Sequence, residues 1–247
     1  MTRREALLAL AIGDETTART LARLFPSASF LLMDPASGLL IASHWDAPPN
    51  AATPLGSLMK PLVALAHGSP FPEIECRACW KPDGHGRMGL TEALAQSCNA
   101  YFLALAKAVA PEAMARTAIR YGLPVPDVQT PEAWIGLGSG WTVPPAALLR
   151  AYGRFDGSVL PGLRRSADRG TARACGGDAY AKTGTGTCIH HPKGRGDGYA
   201  VALFPAETPR FALLVSAHNR PGSEAARTAG EMRRAMPASG RYKTPAA

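Results

Sequence analysis

Serine and lysine stand three apart in Ser57-Leu-Met-Lys60, a spacing that puts both side chains on one face of a helix. A serine hydroxyl is a poor nucleophile near neutral pH and needs a base within hydrogen-bond reach. Lysine fills that role only where desolvation or a neighbouring cation leaves part of its amine neutral. Leu58, Met59, Leu62 and Val63 supply apolar surroundings, and Lys182 is a candidate for the second positive charge. Taken alone the pattern is weak, because a helix-capping serine followed by a solvent-facing lysine has the same spelling. Two more triplets follow in order, Ser97-Cys98-Asn99 and Lys182-Thr183-Gly184. The first motif opens an apolar helix, the second lies in or before another helix, and the third falls on a late strand. Order and placement together point to nucleophilic catalysis through Ser57. A phosphate loop is the competing reading of the glycines in Lys182-Thr-Gly-Thr-Gly-Thr187, and it fails because no G-x-x-x-x-G-K precedes a helix. Those glycines suit a strand that bends or is approached closely by another backbone.

The elements that must hold these residues can be read from apolar runs and turn clusters. An N-terminal helix runs to about Leu24. Residues 29–34 and 39–45 form a hairpin around Pro35-Ala-Ser-Gly38, and a Pro- and Ala-rich loop leads to a buried helix from near Ser57 to His67. A loop from Gly68 to Gly89 precedes one long helix from Leu90 to Ala110, with helices at 111–121 and 144–152 after it. Strands at about 179–187, 198–204 and 210–218 and a helix at 223–236 complete the chain. Strands and helices are segregated, not alternating, so the expected class is α+β: a five-stranded antiparallel sheet flanked by terminal helices, with an all-helical region inserted.

The 247 residues are 46% apolar and 19% charged, enough for one substantial core, and no run is long and apolar enough for a membrane helix. The 25 glycines and 22 prolines favour a turn-rich mixed fold over a helical bundle. Lys and Arg exceed Asp and Glu by 27 to 19, which favours anionic partners, but the excess forms no basic block and no nucleic-acid motif accompanies it. No nucleic-acid partner is expected.

The three motifs in this order are the signature of serine β-lactamases and penicillin-binding proteins, and the likeness extends beyond them. Cys79-Trp-Lys-Pro-Asp-Gly-His-Gly86 and Ala93-Leu-Ala-Gln-Ser-Cys-Asn-Ala-Tyr-Phe102 resemble the approach to the second motif in elongation-type, high-molecular-mass penicillin-binding proteins. Ile135-Gly-Leu-Gly-Ser-Gly140 and Pro144-Pro-Ala-Ala-Leu-Leu-Arg-Ala-Tyr152 are similar to their glycine-rich loop and following helix. The resemblance covers most of residues 25–236. It implies that Ser57 is the acylated nucleophile, Lys60 its base, and Ser97 the proton relay to the leaving amine. It implies further that the N–H groups of Ser57 and Thr185 form the oxyanion hole, and that Asn99 orients the substrate amide and holds Lys60. Lys182, Gly184 and the hydroxyls of Thr183 and Thr185 would bind the substrate and its terminal carboxylate. No cofactor and no catalytic metal are implied.

The activity so implied is that of a D,D-transpeptidase, or a carboxypeptidase if water is the acceptor, working on D-Ala-D-Ala stem peptides of peptidoglycan and acylated by β-lactams. A cell-wall synthase is the implied protein partner. A β-lactamase is the alternative, and it requires a base for deacylation. Glu132 stands in the right interval, but Glu132-Ala-Trp-Ile-Gly lacks the expected following pattern and reads as a solvent-facing turn. Asn99 argues against the class D enzymes. A non-catalytic β-lactam sensor is the second alternative. The interval 157–178 is short and holds Arg164, Arg165, Arg169 and Arg173, which suggests a trimmed substrate groove.

Three features stand outside this reading. Arg3-Arg4 before a short apolar stretch resembles a twin-arginine export leader, which would place the protein outside the cytoplasm, while an ordinary amphipathic helix explains the same residues. Domain boundaries are therefore expected as 1–24 helix or leader, 25–236 catalytic domain and 237–247 disordered tail. The five cysteines, Cys76, Cys79, Cys98, Cys175 and Cys188, are odd in number, which disfavours a full disulfide framework. Cys76-Arg-Ala-Cys79 is half a zinc site or a redox pair, with His85, His190 or His191 as further ligands, or else is unligated or locally bridged.

Overall fold

The computed structural model describes residues 17–188 and 194–236. In chain order it holds a helix at residues 17–24 (α1), β1 (Ser29–Met33), β2 (Leu40–His44), a 3-10 turn (Gly56–Met59) and α2 (Lys60–His67). Then come β3 (Ile74–Cys76), β4 (Gly86–Met88), α3 (Leu90–Ala95), α4 (Asn99–Lys107), α5 (Pro111–Arg120), α6 (Pro131–Trp134) and α7 (Pro145–Tyr152). α8 (Leu160–Arg169), a 3-10 turn (Arg173–Cys175), β5 (Tyr180–Gly186), β6 (Asp197–Phe204), β7 (Phe211–Ala217) and α9 (Gly222–Ala235) follow.

Continuous apolar runs such as Phe30-Leu-Leu-Met33 and Ala212-Leu-Leu-Val215 do not alternate with polar residues, which marks a sheet covered on both faces. β1 and β6 are buried at every position. The sheet is five-stranded in the order β2-β1-β7-β6-β5, with every neighbouring pair antiparallel. Register sorts each run into two cores. Leu31 pairs with Leu214 and Val201 with Leu214, and these three join Leu58, Leu62, Phe102 and Tyr152 under the helical region. Phe30 and Ala200 both pair with Val215, and these face Ala225, Ala226, Ala229 and Met232 of α9 together with Leu21 of α1. The small residues of α9 bring the helix close to the sheet: a Cβ at Gly222 would lie 2.4 Å from Gly184 O.

The α+β architecture and all five strands agree with the sequence. Three local features differ. The long helix expected from Leu90 to Ala110 is broken into α3 and α4, because Ser97 takes φ 52° between them. The loop at 68–89 contains the hairpin β3–β4, paired from Ile74↔Met88 to Cys76↔Gly86. The interval 157–178 holds α8 and a 3-10 turn. A Cβ on Gly162 would lie 2.6 Å from Leu94 Cβ, so this glycine lets α8 pack tightly on α3. The leader-like residues and the C-terminal tail lie outside the described residues. No helix among the described residues is long and apolar enough to cross a membrane.

Candidate active site

Ser57 sits partly exposed in the 3-10 turn that leads into α2, and the backbone N–H of Lys60 donates to its carbonyl. Three neighbours fix that turn. Tyr152 Oη donates to Leu58 O at 2.8 Å. Gly56 has φ +59°, and a side chain there would strike Thr185 O of β5 at 2.3 Å. Gly136, at φ +79°, lies so close that its Cβ would be 2.0 Å from Gly56 O. Glycine is required at both positions by the positive φ and by the backbone approach together. From the other side, a Cβ at Gly184 would meet Leu55 O at 2.5 Å, so the K-T-G strand and the serine turn touch backbone to backbone.

Lys60 is fully buried at the start of α2. Its Nζ donates to Asn99 Oδ1 at 2.5 Å and to Ser97 O at 2.7 Å, and lies 3.3 Å from Ser97 Oγ. Lys182, also fully buried, donates to the same Ser97 Oγ at 2.7 Å and to Thr183 O at 2.7 Å. One hydroxyl therefore bridges two lysines. Burial lowers the pKa of Lys60 from 10.5 to about 7, against a smaller upward pull from Cys98 and Cys79. Burial and then the charge of Lys60 push Lys182 well below its ordinary value. Among the described residues no carboxylate forms a salt bridge with either lysine. A neutral Lys60 satisfies this geometry: its two N–H groups donate to Asn99 Oδ1 and Ser97 O, its lone pair accepts from Ser97 Oγ, and protonated Lys182 donates to that oxygen.

Ser97 reaches both lysines because of its left-handed backbone, which costs a non-glycine residue about 1–2 kcal/mol. Its carbonyl is held twice, by Lys60 and by Trp80 Nε1 at 3.1 Å. Cys98 caps α4, its Sγ accepting from Tyr101 N at 3.4 Å, and so Asn99 begins the helix aimed at Lys60.

Strand alternation separates the residues of the third motif. Lys182 points to Ser97, whereas Thr183 is buried with its hydroxyl donating to Thr171 Oγ1 at 2.6 Å. Thr185 is exposed, and its Oγ1 accepts from Gly222 N at 3.1 Å. Among the described residues Lys60 makes no hydrogen bond to Ser57 Oγ. Glu132 is exposed in the first turn of α6 and has no side-chain bond to the site. Arg164 pairs with Asp168 and Asp178, and Arg165 with Glu92, so these two arginines serve the α8 surface. Tyr152, Trp80 and Thr171 support the site without having been singled out by type. The first two lie inside the segments that carried the family resemblance, and their polar ring atoms were the available signal.

The cysteines are all free thiols. Cys76 and Cys79 do gain His85, as one of the sequence alternatives had it, while His190 and His191 lie outside the described residues. The fourth member is Cys98, which the sequence did not connect to them. The donor atoms of Cys76, Cys79, His85 and Cys98 all lie within 4.8 Å of one another, a set able to hold a metal ion beside the second motif.

No protein-family model matches the sequence, and no curated protein matches it significantly. Solved structures do. Pseudomonas aeruginosa PBP2, determined in complex with WCK 5153, aligns with 92% of this chain and 73% of its own length, at TM-score 0.73 and 18% identity. Helicobacter pylori PBP2, in its complex with MreC, aligns with 89% of this chain at TM-score 0.73 and 19% identity. The present chain spans 62% of that relative. The transpeptidase domain of Burkholderia pseudomallei penicillin-binding protein 3 aligns over 92% of both chains, at TM-score 0.69 and 16% identity. With its five-stranded antiparallel sheet and inserted helices, the chain has the fold of a penicillin-binding-protein transpeptidase domain.

Proposed function

We propose that the chain is an acyl-serine enzyme of the penicillin-binding class, a D,D-transpeptidase acting on D-Ala-D-Ala stem peptides of peptidoglycan and acylated by β-lactams. The observation that carries this reading is the shared hydroxyl of Ser97, bonded to two buried lysines, of which Lys60 lies one turn from the partly exposed Ser57. Ser57 Oγ attacks the carbonyl between the two D-alanines while Lys60, with a pKa near 7, accepts its proton. The N–H groups of Ser57 and Thr185 stabilise the oxyanion. Ser97 passes a proton from the lysine pair to the departing D-alanine amine, leaving the acyl group on Ser57. Lys182 and the exposed hydroxyl of Thr185 attract the terminal carboxylate. The acceptor amine then repeats the sequence in reverse; water in its place gives a carboxypeptidase.

Transfer is favoured over hydrolysis because Glu132 is exposed and no carboxylate among the described residues reaches Lys60. A long-lived acyl-enzyme follows from the missing deacylation base. The polymer substrate places the activity outside the cytoplasm, and the MreC complex of a structural relative supports a cell-wall synthase assembly as the setting. The decisive test is covalent labelling by a fluorescent penicillin, which the native chain should accept at one label per chain and Ser57→Ala should refuse while remaining folded. Labelling of the alanine variant would defeat the nucleophile assignment, and rapid turnover of a chromogenic cephalosporin would make the chain a β-lactamase.

A further inference from the structure

We propose that Thr171 is a positioning residue for acylation: it ties the end of α3 to the K-T-G strand and so fixes the bond between Ser97 and Lys182 from the opposite face of β5. The proposal deepens the acyl-serine reading above and rests on it.

α3 is only six residues long and stops just before Ser97, so its closing carbonyls must find donors outside a continuing helix. Gln96 N donates to Glu92 O at 2.9 Å, Cys98 N to Ala93 O at 3.0 Å and Ser97 N to Leu94 O at 3.2 Å. The last carbonyl, Ala95 O, accepts from Thr171 N at 3.0 Å, a bond that comes from the far end of α8. Thr171 reaches it because Gly170 ends α8 without a side chain: a Cβ at Gly170 would fall 2.2 Å from Ala95 O and 2.8 Å from Ser166 Cα. The backbones of the two segments are in direct contact.

The side chain of Thr171 turns to the third motif. Thr183 Oγ1 donates to Thr171 Oγ1 at 2.6 Å, toward the short end of the range for a hydroxyl pair. Successive strand residues point to opposite faces, so Thr183 is held on one face of β5 while Lys182 donates to Ser97 Oγ at 2.7 Å on the other. Lys182 also donates to Thr183 O at 2.7 Å. The residue that Thr171 holds is therefore the one that sets where the lysine ammonium lies.

These contacts close a ring. It runs from Ser97 back along the chain to Ala95 O, across to Thr171 N, from Thr171 Oγ1 to Thr183 Oγ1, along β5 to Lys182, and from Lys182 Nζ to Ser97 Oγ; three hydrogen bonds and short lengths of backbone complete it. A lysine ammonium sits on a flexible four-carbon stem and does not fix its own position. The ring does so, because a slide of β5 against α3 strains the bonds on both faces of the strand together. Thr171 makes no hydrogen bond to Ser57, Lys60 or Lys182 among the described residues, so it acts through Thr183 and Ala95. Its own hydroxyl proton has no acceptor among the described residues, which makes a direct bond to a substrate carboxylate the competing role.

The test uses the full chain and two variants. Thr171→Val keeps the branched shape and the N–H to Ala95 and removes the hydroxyl; Thr171→Ser keeps the hydroxyl and removes the methyl group. With fluorescent penicillin, the valine variant should acylate about fivefold more slowly at saturation, the rate equivalent of one neutral hydrogen bond, with the half-saturating concentration unmoved. The serine variant should label at the native rate. A higher half-saturating concentration with an unchanged saturating rate would overturn the positioning role and give Thr171 to the substrate carboxylate. Equal slowing in both variants would overturn it in favour of methyl packing, and native kinetics in both would overturn it outright. Denaturant unfolding of Thr171→Val, Thr183→Val and the double variant supplies a readout without penicillin. The two losses should fall well short of adding, since either change deletes the same bond, and additive losses would overturn the coupling. If the native chain takes no label at all, the acyl-serine reading falls and the positioning role falls with it, while the unfolding cycle still decides whether Thr171 and Thr183 are bonded.

Discussion

Two polar clusters, one buried and one largely exposed, lean on the same sheet and are built on opposite electrostatic plans. In one, Lys60 and Lys182 share Ser97 and have no carboxylate partner among the described residues. In the other, His218 follows β7 and lies between two carboxylates, bonding Asp46 through Nε2 and standing 3.5 Å from fully buried Asp197 through Nδ1. Asn219 N also donates to Asp197 Oδ1 at 2.9 Å. Like charges in a dry pocket raise the free energy of the folded state and leave one amine neutral, whereas a cation between anions is held in its charged form. The proposed reactivity lies in the cluster that weakens the fold, and the cluster with matched charges strengthens it.

Lys60→Met attacks the first cluster most directly. It removes the proposed base while keeping an apolar stem of similar length, so penicillin labelling should fall by about a thousandfold, the middle of the range for general-base loss. Stability should respond in the opposite sense across a defined pH window. Lys60 has a folded pKa of about 7 against 10.5 unfolded, so between those values the unfolded chain binds more protons and native stability rises with pH. The methionine variant should flatten that slope in denaturant titrations at pH 7 and pH 10. An unchanged slope would mean that Lys60 titrates normally in the folded chain.

Acylation of the native chain should itself climb with pH. The neutral fraction of Lys60 grows as pH passes about 7, so the labelling rate should rise about tenfold per unit below that point and level off above it. A rate that is flat from pH 5 to 9 would remove the lysine from the proton transfer. The matched cluster has the reverse dependence. Burial pulls the pKa of His218 down, but the bond and charge of Asp46 and the charge of Asp197 outweigh it, and the net pKa lies above 6.5. Its contribution is complete below the unfolded value and is lost as pH rises through the folded one. Since His218 is 39% and Asp46 43% exposed, solvent screening limits the contribution to about 0.5–1 kcal/mol. His218→Ala should lower stability by that amount at pH 5.5, converge with the native chain at pH 9, and leave penicillin labelling unchanged. A loss that persisted at pH 9 would assign the residue to packing instead of charge.

What the sequence disclosed and what it hid divide along the same physical line. The strands were legible because Phe30–Met33, Tyr199–Phe204 and Phe211–Val215 are apolar runs bounded by turn residues, a local pattern. Ser57, Lys60, Ser97, Asn99 and Lys182 were legible as a spelling, and the fold brings Lys60, Ser97, Asn99 and Lys182 into one bonded set. The break at Ser97 was not, because Leu90–Ala110 carries apolar residues on several faces without a helix breaker and serine carries no local mark of a left-handed backbone; the tertiary bonds of Trp80 and Lys60 impose it. α8 was hidden by Pro161 and Gly162 in its first turn, where proline is tolerated and glycine is needed to seat Leu94. Cys98 could not be joined to Cys76 and Cys79 without knowing that β3 and α4 meet. The bond from Thr183 to Thr171 likewise depends on packing between segments.

Trp80 offers the finest test of how the lysine cluster is restrained. Trp80→Phe keeps an aromatic ring beside His85, 5.1 Å away between centroids, and deletes only the indole N–H that reaches Ser97 O. That carbonyl retains the shorter bond from Lys60, so it is not left unsatisfied. The expected loss is about 1 kcal/mol, the usual net value of one neutral hydrogen bond, or roughly fivefold in labelling rate. If the indole only fills space, phenylalanine should label at the native rate. If it restrains the left-handed turn, the slowing should appear at all pH values with the midpoint near pH 7 unmoved, because the hydrogen bond positions Ser97 without changing the burial of Lys60.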